Sequence, residues 1–245
     1  MIFSAETTST YPAVNSSRAD AFWRPINRIC RKLGCEIVPT KARLPKPVRQ
    51  DYDRVLNAIG PYTFKFLDVR TFLTATLGYA YRLGLHESPP LAILDLGTGA
   101  GYFPVVCEFY GHIAIAIDRP GNPVFEDVTR WLNVDRRVHE IRAYQPLPFL
   151  ERRFDLVTAF MLNFDQYFDR DYAPWGIEEW DFFLSDVAEN QLLPNGRLVL
   201  RLNPHTTKHS NILKYFQTKG AEITNDWVEF RSLAQHIVPV LAEAV

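Results

Sequence analysis

Cysteine is scarce in this chain: Cys30, Cys35 and Cys107 are the three among 245 residues. A small, odd count builds no disulfide framework. Cys30 and Cys35 have no His or Cys cluster beside them, so a zinc site is not expected and free, buried thiols are. Long apolar runs are missing too, and nothing in the sequence is suited to spanning a bilayer. The opening Met1-Ile2-Phe3-Ser4-Ala5-Glu6 lacks the basic flank and apolar core of a secretory signal, which makes a cytoplasmic protein the expectation. Nor is there an excess of one charge. With 27 Lys and Arg against 28 Asp and Glu, the net charge is -1, and the molecule as a whole exerts no strong pull on nucleic acid or membranes. Internal repeats and low-complexity runs are also absent. What remains is ordinary globular composition, 47% hydrophobic and 22% charged, at a length that suits one α/β domain with a full core.

The pattern along the chain divides into three parts. Residues 1–17, rich in Ser, Thr and Ala, read as a flexible tail. Residues 18–89 read as an N-terminal helical cap. Phe22, Trp23, Ile26, Ile29, Cys30 and Leu33 recur at helical spacing, Gly34 is a stop, and Pro39, Pro45 and Pro47 mark an extended connector. A second helical region over 51–85 is interrupted near Gly60-Pro61 and ends before Pro89-Pro90. Residues 90–245 change period. Short apolar runs at 92–96, 113–117, 138–142, 154–160 and 197–202 read as strands, with helices over 124–132, 177–192 and 208–218. Two closing strands, 221–224 and 227–231, flank an Asn225-Asp226 turn. Strands alternating with helices predict a Rossmann-like, doubly wound, mostly parallel seven-stranded sheet with helices on both faces.

The chemistry-bearing stretch is Ile93-Leu94-Asp95-Leu96-Gly97-Thr98-Gly99-Ala100-Gly101-Tyr102, where a buried strand gives way to a helix. Glycines at such a turn let the backbone bend sharply and let a ligand approach closely. The spacing is not that of a dinucleotide fold, which wants G-x-G-x-x-G, because position 102 is Tyr. No Gly-Lys-Ser/Thr follows, so a phosphate-binding P-loop is excluded as well. Asp118 ends the next strand, and a carboxylate there can accept two charge-assisted hydrogen bonds from a ribose diol.

This segment resembles motif I of the class I S-adenosylmethionine-dependent methyltransferases, with Asp118 matching that family's acidic residue after its second strand. Leu147-Pro148-Phe149 followed by Phe154-Asp155-Leu156-Val157 resembles the family's approach to strand four. Leu193-Pro194-Asn195-Gly196-Arg197 resembles its turn into strand five, with Asn195 replacing a glycine. The resemblance covers about residues 90–232. It implies S-adenosyl-L-methionine as cofactor, with Gly97, Thr98, Gly99 and Gly101 along its methionine part. Asp95 would order the loop and the cofactor's amino group, and Asp118 would hold the ribose hydroxyls.

Two positions depart from the family pattern. The position that often carries Asp or Asn for the adenine amino group is Ala143, followed by Tyr144 and Gln145, so Tyr144 stacking or Gln145 bonding is the expectation there. The usually apolar residue after Asp118 is Arg119, whose guanidinium could stack on adenine. Candidates near the acceptor are Asn163, Asp165, Gln166 and Tyr167, with His205 as the first choice of base. No metal is expected.

Charge is unevenly distributed. Residues 18–50 carry nine Lys or Arg, and residues 163–183 interleave acids with aromatics. The basic segment reads as a solvated face, a flap over the cleft or a membrane-surface helix. The acidic one reads as an acceptor lining or as packing beneath the sheet. The two segments could also pair with each other, across one molecule or between two, the latter giving a homodimer. The expectation is transfer of a methyl group to a small-molecule, saccharide or lipid-linked acceptor, at oxygen by the resembled family's habit, with no stable nucleic-acid partner. A nucleic-acid or protein methyltransferase and a non-catalytic binding module are the alternatives. No Asn/Asp-Pro-Pro-aromatic run follows strand four, where Met161-Leu162-Asn163-Phe164 stands instead.

Overall fold

The structure is a computed structural model that describes residues 66, 68–168, 171–203, 210–231 and 233–234. The expectations for the tail, the basic segment, Cys30, Cys35 and His205 lie outside the described residues. The first described helix is α1 (Val69–Arg82), capped by Asp68, whose side chain accepts from the Thr71 amide. The central strand is β1 (Ala92–Leu96). Its Ile93, Leu94 and Leu96 are wholly buried, as a strand covered on both faces must be.

Strand β2 (Ile113–Asp118) pairs with β1 in parallel on one side, and β4 (Phe154–Phe160) does so on the other. Beyond β2 lies β3 (Arg136–Val138), also parallel. Beyond β4 lies β7 (Leu192–Arg201), again parallel. Strands β8 (Glu222–Thr224) and β9 (Trp227–Phe230) then close that edge antiparallel, with Asn225 in a left-handed turn between them. The order is β3-β2-β1-β4-β7-β9-β8, so the seven strands of this sheet run 3-2-1-4-5-7-6 when counted along the chain. The connections reverse direction at β1, and a crevice opens outside the strand carboxyl ends at such a switch point.

Alternate residues of the strands feed two cores. Ile93, Leu156 and Val199 face α1, α2 (Tyr102–Phe109) and α3 (Pro123–Trp131), meeting Leu73, Leu77, Val106 and Val128. Leu94, Val157 and Leu198 face the other way, toward α4 (Ile177–Asp186) and α5 (Ser210–Thr218), meeting Trp180, Leu184 and Phe216. Cys107 is a buried free thiol in the first core. None of the described helices is long and apolar enough to cross a membrane.

Several boundaries differ from the sequence reading. β3 lies at 136–138 rather than 138–142, because backbone pairing with β2, not an apolar run, defines it. The helix expected to reach residue 192 is α4 followed by a π-helical turn over Val187–Gln191, and β7 starts at Leu192 rather than 197. A hairpin of β5 (Asp165–Phe168) and β6 (Asp171–Pro174) occupies a stretch to which the sequence reading assigns no element. The acceptor-lining reading of the acidic aromatic segment fails for Phe164, Trp175, Trp180 and Phe183, which are buried together beneath the sheet. Phe164 and Trp180 lie 4.4 Å apart, centroid to centroid.

Gly196 shows why a glycine survives in the turn where Asn195 replaces one. A Cβ there would stand 2.8 Å from the Phe154 carbonyl oxygen and 2.9 Å from Leu192 Cδ2, at the register shift between β4 and β7. Gly196→Ala is expected to destabilise the fold by roughly 1–3 kcal/mol, the scale of overpacking a close-packed site. Chemical denaturation reads this directly, and an unchanged midpoint would refute it.

Candidate functional site

The loop after β1 turns through three left-handed residues, Gly97 (φ +69°), Gly99 (φ +58°) and Gly101 (φ +79°). At Gly97 the conformation is joined by a close approach: a Cβ would fall 2.5 Å from Leu162 Cδ1, in the loop after β4. At Gly101 a Cβ would press on Thr129 and Val134 at 2.9 Å, so this glycine lets the start of α2 settle against the end of α3. The loop is tied to the end of β2. The amides of Gly97 and Thr98 donate to the Ile117 carbonyl at 2.8 and 3.2 Å, and the Gly99 amide donates to Asp118 Oδ2 at 2.6 Å.

Asp118 is buried, and its other oxygen accepts from the Arg119 amide at 2.8 Å. Burial raises its pKa, and the Gly99 and Arg119 amides pull it back. A carboxylate has about four acceptor positions, so two bonds leave capacity toward the cavity that Asp118 lines. Asp95 sits one strand over, paired in register with Thr158, whose hydroxyl donates to Asp95 Oδ1 at 2.8 Å. Burial pushes the Asp95 carboxyl up to about 7, against the opposing pull of Thr98 and Thr158 and with a small further push from Asp118.

These groups open on a cavity of about 790 Å³, within the roughly 300–1,000 Å³ of small-molecule sites. On the β2–β3 side its wall is the segment His139–Gln145. The His139 amide donates to the Asp118 carbonyl at 3.0 Å, which fixes this segment beside the carboxylate. The His139 Nε2 is buried without a hydrogen-bond partner among the described residues, and burial lowers the pKa of the ring. Above the loop stands an aromatic roof, with Phe66 packed 4.8 Å from Phe72 and 5.0 Å from Phe125. The Tyr102 hydroxyl donates to the Phe66 carbonyl at 2.5 Å and holds the roof to α2. On the β4 side the wall is Phe160–Asn163.

Asp95, Gly97, Thr98, Gly99, Asp118, Arg119 and Tyr144 all line this cavity, while Gly101 shapes the loop from behind. Arg119 is exposed at the rim. Tyr144 is half exposed, with left-handed φ, its ring 6.0 Å from Phe182 and its hydroxyl 3.5 Å from Glu178. Ala143 and Gln145 line the same wall. Asn163 is brought to the cavity, where its Oδ1 accepts from Asn203, which also donates to the Met161 carbonyl at 2.8 Å. Among the described residues no group of three His, Cys, Asp or Glu side chains is placed to hold a metal. Sequence reasoning missed His139, Glu140 and the cavity face of α1. The last had a signal, since Phe72, Ala75, Thr76 and Tyr79 fall on one helical stripe.

The residues fit the S-adenosylmethionine that the resemblance implies. The glycine loop gives a backbone cradle, and two buried carboxylates line the cavity beside it. The strand order and this loop decide the architecture. The fold is the Rossmann-like fold of the class I methyltransferases.

No family model matches the chain, and no curated protein does. Among solved structures, it is similar to a ribosomal protein L11 methylase from Lactobacillus delbrueckii subsp. bulgaricus at 16% identity and a TM-score of 0.40, covering 60% of this chain and 73% of that one. An amino pentose methyltransferase from Micromonospora echinaspora matches at 17% and 0.41, over 69% and 60%. The glycopeptide N-methyltransferase MtfA matches at 16% and 0.38, over 52% of each chain, so the chain spans about half of that protein's length. At these TM-scores the methyltransferase fold rests on strand order and loop geometry.

The folded Asp95 carboxyl keeps its proton to about pH 7, whereas its unfolded value is 3.8. The folded state therefore binds more protons between these values, and Asp95 costs stability as pH rises through that window. Asp95→Asn mimics the protonated acid. Its stability relative to the parent is expected to rise between about pH 4 and pH 7.5 by on the order of 3 kcal/mol. Urea denaturation of both ligand-free proteins across that range measures it, and a difference independent of pH would remove the buried-acid account.

Proposed function

We propose that the chain is an S-adenosylmethionine-dependent methyltransferase acting on a small-molecule acceptor. The observation that carries this reading is Asp118, one carboxylate that both ties down the glycine loop and lines the cavity. Gly97, Thr98, Gly99 and Asp95 would hold the methionine part of the cofactor, and Asp118 the ribose. The wall from His139 to Tyr144 and the rim residue Arg119 would enclose the adenine. When bound, S-adenosylmethionine supplies an activated sulfonium methyl group, and the chain's contribution is alignment and exclusion of water.

Each residue's contribution is physical. Asp95 and Asp118 are acceptors already stripped of water, so hydrogen bonds from a cationic amine and a diol meet groups that burial has left short of donors. Phe66, Phe72 and Phe125 keep bulk water from the loop. The cleft lies at the carboxyl ends of the strands, so the loop after β4 can bring an acceptor alongside the cofactor. Asn163 holds that loop through Asn203. His205 is the candidate base by its sequence position after β7.

Calorimetric titration with S-adenosylmethionine and S-adenosylhomocysteine tests the reading. Both ligands should bind saturably, and Asp118→Ala should weaken both by at least about tenfold, near 1.4 kcal/mol, the scale of a lost charge-assisted hydrogen bond. A folded protein that binds neither would overturn it.

A further inference from the structure

Backbone strain is stored at the exit of β4, where Met161 holds a left-handed φ of +58°. Asn133 and Asn225 share that region elsewhere in the fold. An asparagine tolerates it because its short side chain bonds the local backbone. Methionine has no such device, so the conformation persists only where the surroundings hold it. Among the described residues, Tyr144 and Met161 are the non-glycine residues in this region that line the cavity.

Met161 is held from one direction. Its amide donates to the Arg201 carbonyl at 2.7 Å, and its carbonyl accepts from Asn203 Nδ2 at 2.8 Å. Arg201 ends β7, and Asn203 follows just beyond it. The same Asn203 nitrogen donates to Asn163 Oδ1. A backbone carbonyl only accepts, so Met161 fixes which end of the Asn203 amide faces it, and Asn203 in turn fixes Asn163. One side-chain nitrogen thus spans residues 161 and 163, on either side of Leu162.

Leu162 is the group this clamp places. Its Cδ1 lies 2.5 Å from where a Gly97 Cβ would stand, and its Cγ and Cδ2 lie 3.1 and 3.2 Å from the same point. The leucine therefore takes the volume that glycine leaves free beside the loop after β1. Both residues line the cavity, and Leu162 also packs on the second core. An apolar contact is sensitive to distance but has no direction of its own, so the backbone at 161 must aim it.

We propose that Asn203 is a positioning residue of the cofactor site: by holding Met161 left-handed it sets Leu162 against Gly97, and so shapes the part of the cavity that receives the amino-acid end of S-adenosylmethionine. This deepens the methyltransferase reading and rests on it for the identity of the ligand. Asn203 is not among the described residues that line the cavity, and it acts through Leu162.

The test is binding. The full chain is titrated by calorimetry with S-adenosylhomocysteine and with 5′-methylthioadenosine, which keeps the nucleoside and lacks the amino-acid end. Asn203→Ala should weaken S-adenosylhomocysteine by roughly 3- to 10-fold, the scale of one or two lost hydrogen bonds, and leave 5′-methylthioadenosine unchanged. Asn203→Asp, a carboxylate that cannot donate, should behave in the same way. In a Met161→Gly background the left-handed turn needs no support, so Asn203→Ala should there cost less than half as much on a logarithmic scale. Leu162→Ala leaves every bond of the clamp in place and should reproduce the selective loss, which keeps the test available if Asn203→Ala does not fold. Unchanged affinity in Leu162→Ala, an equal loss for both ligands in Asn203→Ala, or an equal cost with and without Met161→Gly overturns the inference. A parent that binds neither ligand strikes the methyltransferase reading itself. A parent that binds S-adenosylhomocysteine, with no selective loss in the variants, strikes only this inference.

Discussion

The hydrogen bond from the Gly99 amide to Asp118 joins two strands' ends into one site, and the rest of the cleft is arranged around it. Without it the loop after β1 would keep only the Ile117 carbonyl as its tether to β2. With it, the loop amides, the end of β2 and the segment after β3 are locked in sequence, since the His139 amide bonds the carbonyl of the same aspartate. The arrangement requires a backbone that turns left-handed at 97, 99 and 101, and at 97 and 101 a Cβ would also press on neighbouring side chains, Leu162 at the first and Thr129 and Val134 at the second. Conformation and packing therefore both favour glycine at those two positions.

The same interaction leaves an electrostatic debt. Asp95 and Asp118 are both buried at the mouth of one cavity, and each is pushed toward its protonated form by loss of water. Asp118 is partly compensated by two amides, Asp95 by Thr158 and Thr98. Among the described residues neither has a cation bonded to it. A ligand bringing a positive amine and paired hydroxyls would relieve what folding leaves unfavourable, so binding and strain at this site are two views of one interaction. The carboxylates thus set the charge that a ligand here must bring, while the glycines supply shape but no charge.

What could be read from sequence follows from how local each determinant is. β1, β2 and β4 are covered on both faces and so appear as short, mostly apolar runs, with Asp95 in β1, Asp118 at the end of β2, and Asp155 and Thr158 in β4 as their polar members. The glycine loop and Asp118 lie within 22 residues of one another, and their roles follow from strand ends that such runs define. β3 departs from the apolar pattern because Arg136-Arg137-Val138 is a polar edge segment, held by pairing with β2 and not by burial. The aromatic segment after β4 was ambiguous for the opposite reason. Trp175, Trp180 and Phe183 carry a strong hydrophobic signal, but only the tertiary fold decides that they fill the core with Phe216 instead of facing the cleft. His139 gives no such signal, since it lies in the irregular segment after β3, where periodicity says nothing about a ligand, whereas Tyr79 belongs to a helical stripe whose face only the tertiary fold turns to the cavity.

The division of the cavity follows from this topology. β1 marks the switch point, so groups carried by β2 and β3 approach from one flank and those carried by β4 from the other. Polar and ionisable side chains collect on the first flank, where loop amides are available to bond them. On the second, α1 lies across the exit of β4 and presents Phe72, Ala75 and Tyr79, while the aromatic stack through Phe160 to Trp227 backs the wall from the far strands. A polar atom in such a wall must be held from behind or lose more in desolvation than it gains, and the Arg201–Asp226 pair supplies that support from the edge of the sheet. The turn between the closing antiparallel strands, remote from the glycine loop in sequence and in strand order, thereby supports Tyr79 on the β4 flank of the cleft through Arg201.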